Sequence, residues 1–189
     1  MKQPPEVRGG VLGGIDWSRW SVVLLKPDCV RRGLADAVLD RLAAEADIRG
    51  RKNVTVADWQ VFIHYWDLLV DADWFIGLDV PACLRSMYVD RRVTVALAHG
   101  PSGIAGRLRQ LLGHFDPSEA APGTIRGDLG TDSLAAARAA ERLVENLVHT
   151  SDDADAARRD FGTWYGANSH QLLGTPHLPA PLDHGRTPA

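Results

Sequence analysis

Lys26 is one of only three lysines in a chain with eighteen arginines, and the only one that directly follows a strongly apolar run, Trp20-Ser-Val-Val-Leu-Leu25. Further on, Arg126 lies in Pro122-Gly-Thr-Ile-Arg-Gly-Asp128 and His149 in Asn146-Leu-Val-His-Thr-Ser-Asp152. These residue types suit phosphate chemistry. A phosphoryl group in transfer spreads negative charge over its equatorial oxygens, so a protein acts on it by positioning and by fixed positive charge. A planar guanidinium can hold two of those oxygens at once. A neutral imidazole, with an unperturbed pKa of about 6.5, can attack phosphorus and form a phosphorus–nitrogen bond, dividing the transfer into two steps. One ring nitrogen attacks while a hydrogen bond to the other fixes the tautomer.

The elements that would position these residues can be read from the apolar pattern. Residues 20–25 read as a buried strand ending at Lys26-Pro27-Asp28. From Gly33 to Ile48, Leu34, Val38, Leu39, Leu42 and Ala43 recur at helical spacing. Residues 53–62 alternate and suggest a second strand, and residues 93–98 a third, closed by His99-Gly100-Pro101. A helix is expected over 102–112, between the start signals Pro101-Ser102 and the stop Gly113. The alanine-rich stretch 133–145 predicts another helix, 146–149 a short strand, and 153–164 a final helix introduced by Ser151 and Asp152. That order is the pattern of a βαββαβ domain of the α/β (α+β) class, an antiparallel sheet covered by helices, with an extra helix around 133–145.

With 189 residues and 45% hydrophobic content, the chain suffices for one domain, expected over 19–172 between tails at 1–18 and 173–189. A net charge of −3, with acidic and basic residues intermixed, advertises neither a nucleic-acid nor a membrane partner. Two cysteines, no apolar leader-like stretch in Met1–Arg8 and no run of about eighteen apolar residues fit a cytoplasmic location.

Three segments, in order, resemble signatures of the nucleoside diphosphate kinase family. Lys26-Pro-Asp-Cys-Val-Arg-Arg-Gly33 is similar to its KPD-x-V-x-R-G segment, residues 122–128 match PGTIRGD without a substitution, and residues 146–152 resemble N-x-x-H-G-S-D. The resemblance spans roughly residues 20–165 and implies a ferredoxin-like fold. It further implies that the terminal phosphoryl group of ATP or another NTP passes, with Mg²⁺ held only by the nucleotide phosphates, to His149 and then to an NDP or a specialised acceptor. By the same resemblance Lys26, Arg109 and Arg126 carry the positive charge, Ser151 stands beside the histidine, and Asp160 orients its ring. Tyr65, in His64-Tyr65-x-Asp67, packs near the histidine, Asn146 contacts the sugar or phosphate edge, and Trp74 stacks on the base or is simply packing bulk.

Departures from the family pattern are as informative. Phe115 stands where the family has a threonine that donates to phosphate, Thr150 replaces a glycine, and Asp160 replaces a glutamate with one methylene more of reach. Cys29 replaces a glycine, as a small turn residue or a reactive thiol. Between Arg126 and His149 lie 22 residues, roughly ten more than the family spacing, and the excess coincides with 133–145. A smaller expansion lies around 79–91. These changes allow a second reading, a nucleotide-binding regulatory module with little transfer activity. They also make a homodimer the favoured assembly over the family's hexamer.

Overall fold

A strand without alternating polar residues needs cover on both faces. In the computed structural model, which describes residues 12–70 and 77–174, Trp20–Leu25 forms β1 and is buried along its whole length. β2 (Asp47–Thr55), β3 (Arg92–His99) and β4 (Val148–Thr150) complete a sheet of order β2-β3-β1-β4 in which every neighbouring pair is antiparallel. This is the ferredoxin-like arrangement.

Nine α-helices are present among the described residues: α1 (Pro27–Arg31), α2 (Ala35–Leu42), α3 (Asp58–His64), α4 (Trp66–Val70), α5 (Val80–Tyr88), α6 (Ile104–Leu112), α7 (Ile125–Leu129), α8 (Leu134–Ala139) and α9 (Ala154–Trp164). The period of two in β1 and β3 divides the core. Val23, Leu25, Ala96 and Ala98 pack with Val38 and Leu42 of α2 and with Ile104 and Leu108 of α6. Val22, Leu24, Val95 and Leu97 pack with Val61 of α3, Leu84 of α5, and Phe161 and Trp164 of α9. Each of the larger of these side chains contributes about 1.5–3 kcal/mol by leaving water, so the two helix layers hold the central strands rigidly under the site.

Several boundaries differ from the sequence expectation, among them the last strand, which runs Val148–Thr150 rather than 146–149. The helix expected to run from 33 to 48 stops at Leu42, and the second strand begins at Asp47 rather than at residue 53. β2 is an edge strand of largely polar residues with a bulge between Arg49 and Lys52, where Gly50 takes a φ of 58°, so its pattern carries no clean alternation. Residues 58–62, expected in that strand, begin α3, where the Gln60 side chain accepts the Ala57 N–H at 3.0 Å.

The helix expected over 133–145 is only Leu134–Ala139, capped by Ser133. Glu141 has a φ of 50°, which ends the helix. The following loop is clasped by Arg142, whose guanidinium grips both carboxylate oxygens of Asp132 at 2.5 and 2.9 Å. That bond, with the Glu145 N–H, holds the Asp132 carboxyl down at about 2. The cap of α9 is Asp153, which accepts the Ala156 N–H, rather than Ser151 or Asp152.

Packing also extends into the expected N-terminal tail. Trp17 lies 5.7 Å from Phe161, and Leu12 and Ile15 lean on the same cluster. No helix among the described residues is long and apolar enough to cross a membrane.

Candidate active site

His149 sits on β4 opposite Leu24, and the chain enters that strand through a strained residue. Leu147 has a φ of 70°, a conformation that costs a side-chain-bearing residue of order 1–3 kcal/mol. It is held there from two sides: Asp28 Oδ2 accepts the Leu147 N–H at 2.9 Å, and the Lys26 N–H donates to the Leu147 carbonyl at 2.8 Å. Asp28 is thus a positioning residue; the sequence marks it only as the last residue of the Lys26-Pro27-Asp28 match and gives it no role.

Arg126, from α7, reaches the same strand. Its guanidinium donates to the carbonyls of Gly113 (3.0 Å), Val148 (2.8 Å) and Asn146 (3.3 Å). With Arg109, Phe115, His149 and Thr150 it lines a cavity of about 250 Å³. Burial and the neighbouring Arg109 bring the Arg126 pKa down to about 10. Lys26 is buried, and burial followed by the charge of Arg126 lowers its ammonium to about 8. His149 is held well below the ordinary histidine value, first by burial and then by His64, Lys26, Arg109 and Arg126. Near neutral pH the ring is therefore uncharged and keeps a lone pair. Arg109 is half-exposed and ion-paired with Asp152, so a phosphate competing for it must displace that carboxylate.

Asp160 and Ser151 lie at the buried end of the site. Asp160 Oδ2 accepts the Ser151 hydroxyl at 2.7 Å, Ser151 Oγ accepts the Val22 N–H at 3.0 Å, and Asp160 Oδ1 bonds His64 Nδ1 at 2.9 Å. The direct bond from Asp160 to His149 expected from the sequence is not made. The shorter side chain ends on His64, and His149 has no side-chain hydrogen bond among the described residues. The His64 and His149 rings instead meet edge-on with centroids 4.8 Å apart.

Beside the phosphate-sized cavity opens a larger one of about 570 Å³, reached by Lys26, Tyr65, Tyr88 and Asn146 and walled by Leu78, Leu84 and Leu143. Phe115, 39% exposed, borders both cavities. Asn146 donates its amide N–H to the Phe115 carbonyl at 2.7 Å, while its Oδ1 is buried without a partner. Tyr65 packs 5.7 Å from the His149 ring, and its hydroxyl bonds that of Tyr88 at 2.5 Å; burial drives both phenols up. Tyr88 is a residue that nothing in the sequence pattern marks for the site. The shortened α8 and its clasped loop form one wall through Leu134, Arg138 and Arg142. Trp74 lies outside the described residues. Cys29 is a buried turn residue whose thiol burial raises to about 12, far from reactive.

Metal binding by the protein alone is poorly served here. His64, His149 and Asp160 place one ligand atom each within 4.8 Å of one another, yet the positive field of Lys26, Arg109 and Arg126 acts on the same spot. The smaller cavity has no carboxylate in its lining, so a hard cation that prefers oxygen would have to bring its ligands with it.

Comparison with known proteins agrees with this geometry. The profile of the nucleoside diphosphate kinase family matches residues 20–170. A nucleoside diphosphate kinase of Nocardia farcinica is 35% identical over 147 residues, covering 77% of this chain and 93% of its own length. That of Chloroflexus aurantiacus is 30% identical over 155 residues, covering 82% and 90%. Among solved structures, a transition-state mimic of the Borrelia burgdorferi nucleoside-diphosphate kinase with bound vanadate and ADP superposes with a TM-score of 0.73 at 26% identity, covering 82% of this chain and 90% of that one.

Proposed function

Because this chain belongs to the nucleoside diphosphate kinase family and is a phosphotransferase of that kind, we propose that His149 accepts the terminal phosphoryl group of ATP or another NTP and passes it to a nucleoside diphosphate. The observation that carries this reading is an uncharged, half-buried imidazole facing a small cavity lined by Arg109 and Arg126, with the Lys26 ammonium close enough to act on the ring electrostatically. The ring lone pair attacks phosphorus, the diphosphate leaves with the electron pair of the broken P–O bond, and the reverse steps load the acceptor. Fixed cations stabilise the charge spread over the equatorial oxygens without reorganising. Mg²⁺ would be held by the nucleotide phosphates rather than by a protein carboxylate, and would neutralise part of their charge.

The larger cavity takes the nucleoside. The unpartnered Asn146 Oδ1 is suited to accept a sugar hydroxyl, and the apolar walls to hold a base. Phe115 cannot donate to phosphate. Its ring at the junction of the cavities, with the clasped loop, supports a narrowed or specialised choice of acceptor. A homodimer and a cytoplasmic location complete the proposal. A module that binds nucleotide without transferring is disfavoured by the chain's membership of a phosphotransferase family and by its retention of Lys26, Arg109, Arg126 and His149.

The pH profile follows from the signs of the shifts. The lowered His149 pKa keeps the nucleophile uncharged well below pH 6.5, so the acid limb of kcat/KM lies well below that value. Lys26 loses its charge near pH 8 rather than above 10, so nucleotide affinity falls as pH rises through about 8. A profile flat from pH 7 to 10 contradicts the role of Lys26.

The reaction itself is tested by incubating the protein with Mg²⁺ and NTP labelled in the terminal phosphate, followed by a chase with unlabelled NDP. The expected result is acid-labile, base-stable label that the chase removes as NTP. Absence of both label and exchange sinks the reading.

A further inference from the structure

We infer that His64 is a positioning residue for His149, linking it to Asp160 in a chain Asp160–His64–His149 in which His64 Nε2 accepts the hydrogen bond from the non-attacking nitrogen of His149. The inference rests on the reading of His149 as the phosphoryl acceptor. It starts from two groups without partners. His64 is fully buried, and its Nε2 has no hydrogen-bond partner among the described residues. Leaving such an atom unpaired costs about 1–3 kcal/mol. His149, edge-on at 4.8 Å, likewise makes no side-chain hydrogen bond among the described residues.

The tautomer of His64 is set on its other side. Nδ1 has the Asp160 carboxylate at 2.9 Å and the Trp164 indole N–H at 3.2 Å, and it cannot donate to the first and accept from the second. The nearer, charged acceptor makes the stronger bond, so Nδ1 carries the proton and Nε2 keeps its lone pair. Asp160 is fixed in turn by Ser151, and Ser151 by the backbone of β1. A ring nitrogen of each histidine and an oxygen of Asp160 all lie within 4.8 Å of one another and the two ring centroids are 4.8 Å apart, so the missing bond requires a ring movement and no backbone rearrangement. Contacts of this kind are often loose before substrate binds.

The need for the bond arises during transfer. As the attacking nitrogen forms the N–P bond and the P–O bond breaks, the imidazole gains positive charge and its remaining N–H becomes a stronger donor. An acceptor backed by a carboxylate stabilises that state, and the proton stays shared between the two nitrogens with no net transfer required. The one-methylene shortening at Asp160 is thereby bridged by a ring.

Two substitutions separate this role from a merely structural one. In His64→Asn the amide N–H can replace Nδ1–H toward Asp160, but nothing occupies the Nε2 position. In His64→Gln the side chain can place its carbonyl oxygen there. Single-turnover phosphorylation of His149 is expected to slow by about 10–100-fold in His64→Asn and to be largely kept in His64→Gln, with unfolding midpoints measured alongside. The reverse order, or equal rates in both, overturns the inference. Nitrogen NMR of the ¹⁵N-histidine-labelled wild-type protein does not depend on either variant folding. The His64 Nε2 resonance should move toward its hydrogen-bonded position when His149 is phosphorylated and return after the NDP chase. A phosphoenzyme with an unmoved His64 resonance overturns this role alone, whereas absence of any phosphoenzyme sinks the His149 reading with it.

Discussion

His149→Ala abolishes the acid-labile phosphoenzyme and lowers NTP–NDP exchange by at least about 10⁴-fold, the scale on which removal of a covalent nucleophile acts. The fold should barely register the change. His149 is half-buried and makes no side-chain hydrogen bond among the described residues, so its loss leaves no donor or acceptor newly stranded, and the cost should stay near 1 kcal/mol. Nucleotide binding should survive, since Lys26, Arg126 and the nucleoside cavity are untouched. Exchange kinetics, phosphoenzyme labelling and calorimetric titration of NDP check the three parts. Acid-labile label that persists in the variant would move the acceptor to another residue.

His149 stands out from the amino-acid sequence alone because its signals are local. Lys26, Arg126 and His149 lie in short segments whose residue types and punctuation are readable one after another. The buried strands 20–25 and 93–98 are legible because an unbroken apolar run has few other fates. Legibility ends where partners come from far along the chain. Nothing near Asp28 says that it will hold the backbone of Leu147, 119 positions away. His64 and Asp160 are 96 positions apart, and neither sequence neighbourhood announces the other. The bounds of β2 escape the pattern because an edge strand with one solvated face and a bulge needs no apolar alternation. Helix propensity over 133–145 overstates the helix because it is outweighed by the Arg142–Asp132 clasp and the left-handed turn at Glu141.

Arg126 illustrates how the two kinds of information combine. The motif marks it as a cation for phosphate, while the structure also makes it the tie between α7, the Gly113 turn and the strand that carries His149, the proposed nucleophile. One side chain fixes both the charge and the position of the group it assists. A guanidinium is suited to this because three of its five N–H donors can grip carbonyls while the others remain for substrate.

Arg126→Ala is therefore expected to fail twice. The Gly113 and Val148 carbonyls lose the Arg126 donor while the Asn146 carbonyl keeps the Val148 N–H, which should destabilise the fold by about 2–6 kcal/mol at 1–3 kcal/mol for each of the two groups. Loss of a preorganised cation from the phosphoryl site costs a further 10²–10³-fold or so in kcat. Arg126→Lys restores a positive charge but, as a single point donor, cannot span three carbonyls, so it should recover part of the rate and little of the stability. A lysine variant with a wild-type unfolding midpoint would refute the clamp. The alanine variant should also alter the pH profile. Arg126 depresses both Lys26 and His149, so its removal lets both pKa values rise. The alkaline limb should move above pH 8 and the acid limb toward the ordinary histidine range, displacing the profile upward at both ends. Limbs that stay in place while the rate falls would mean that Arg126 acts through geometry alone.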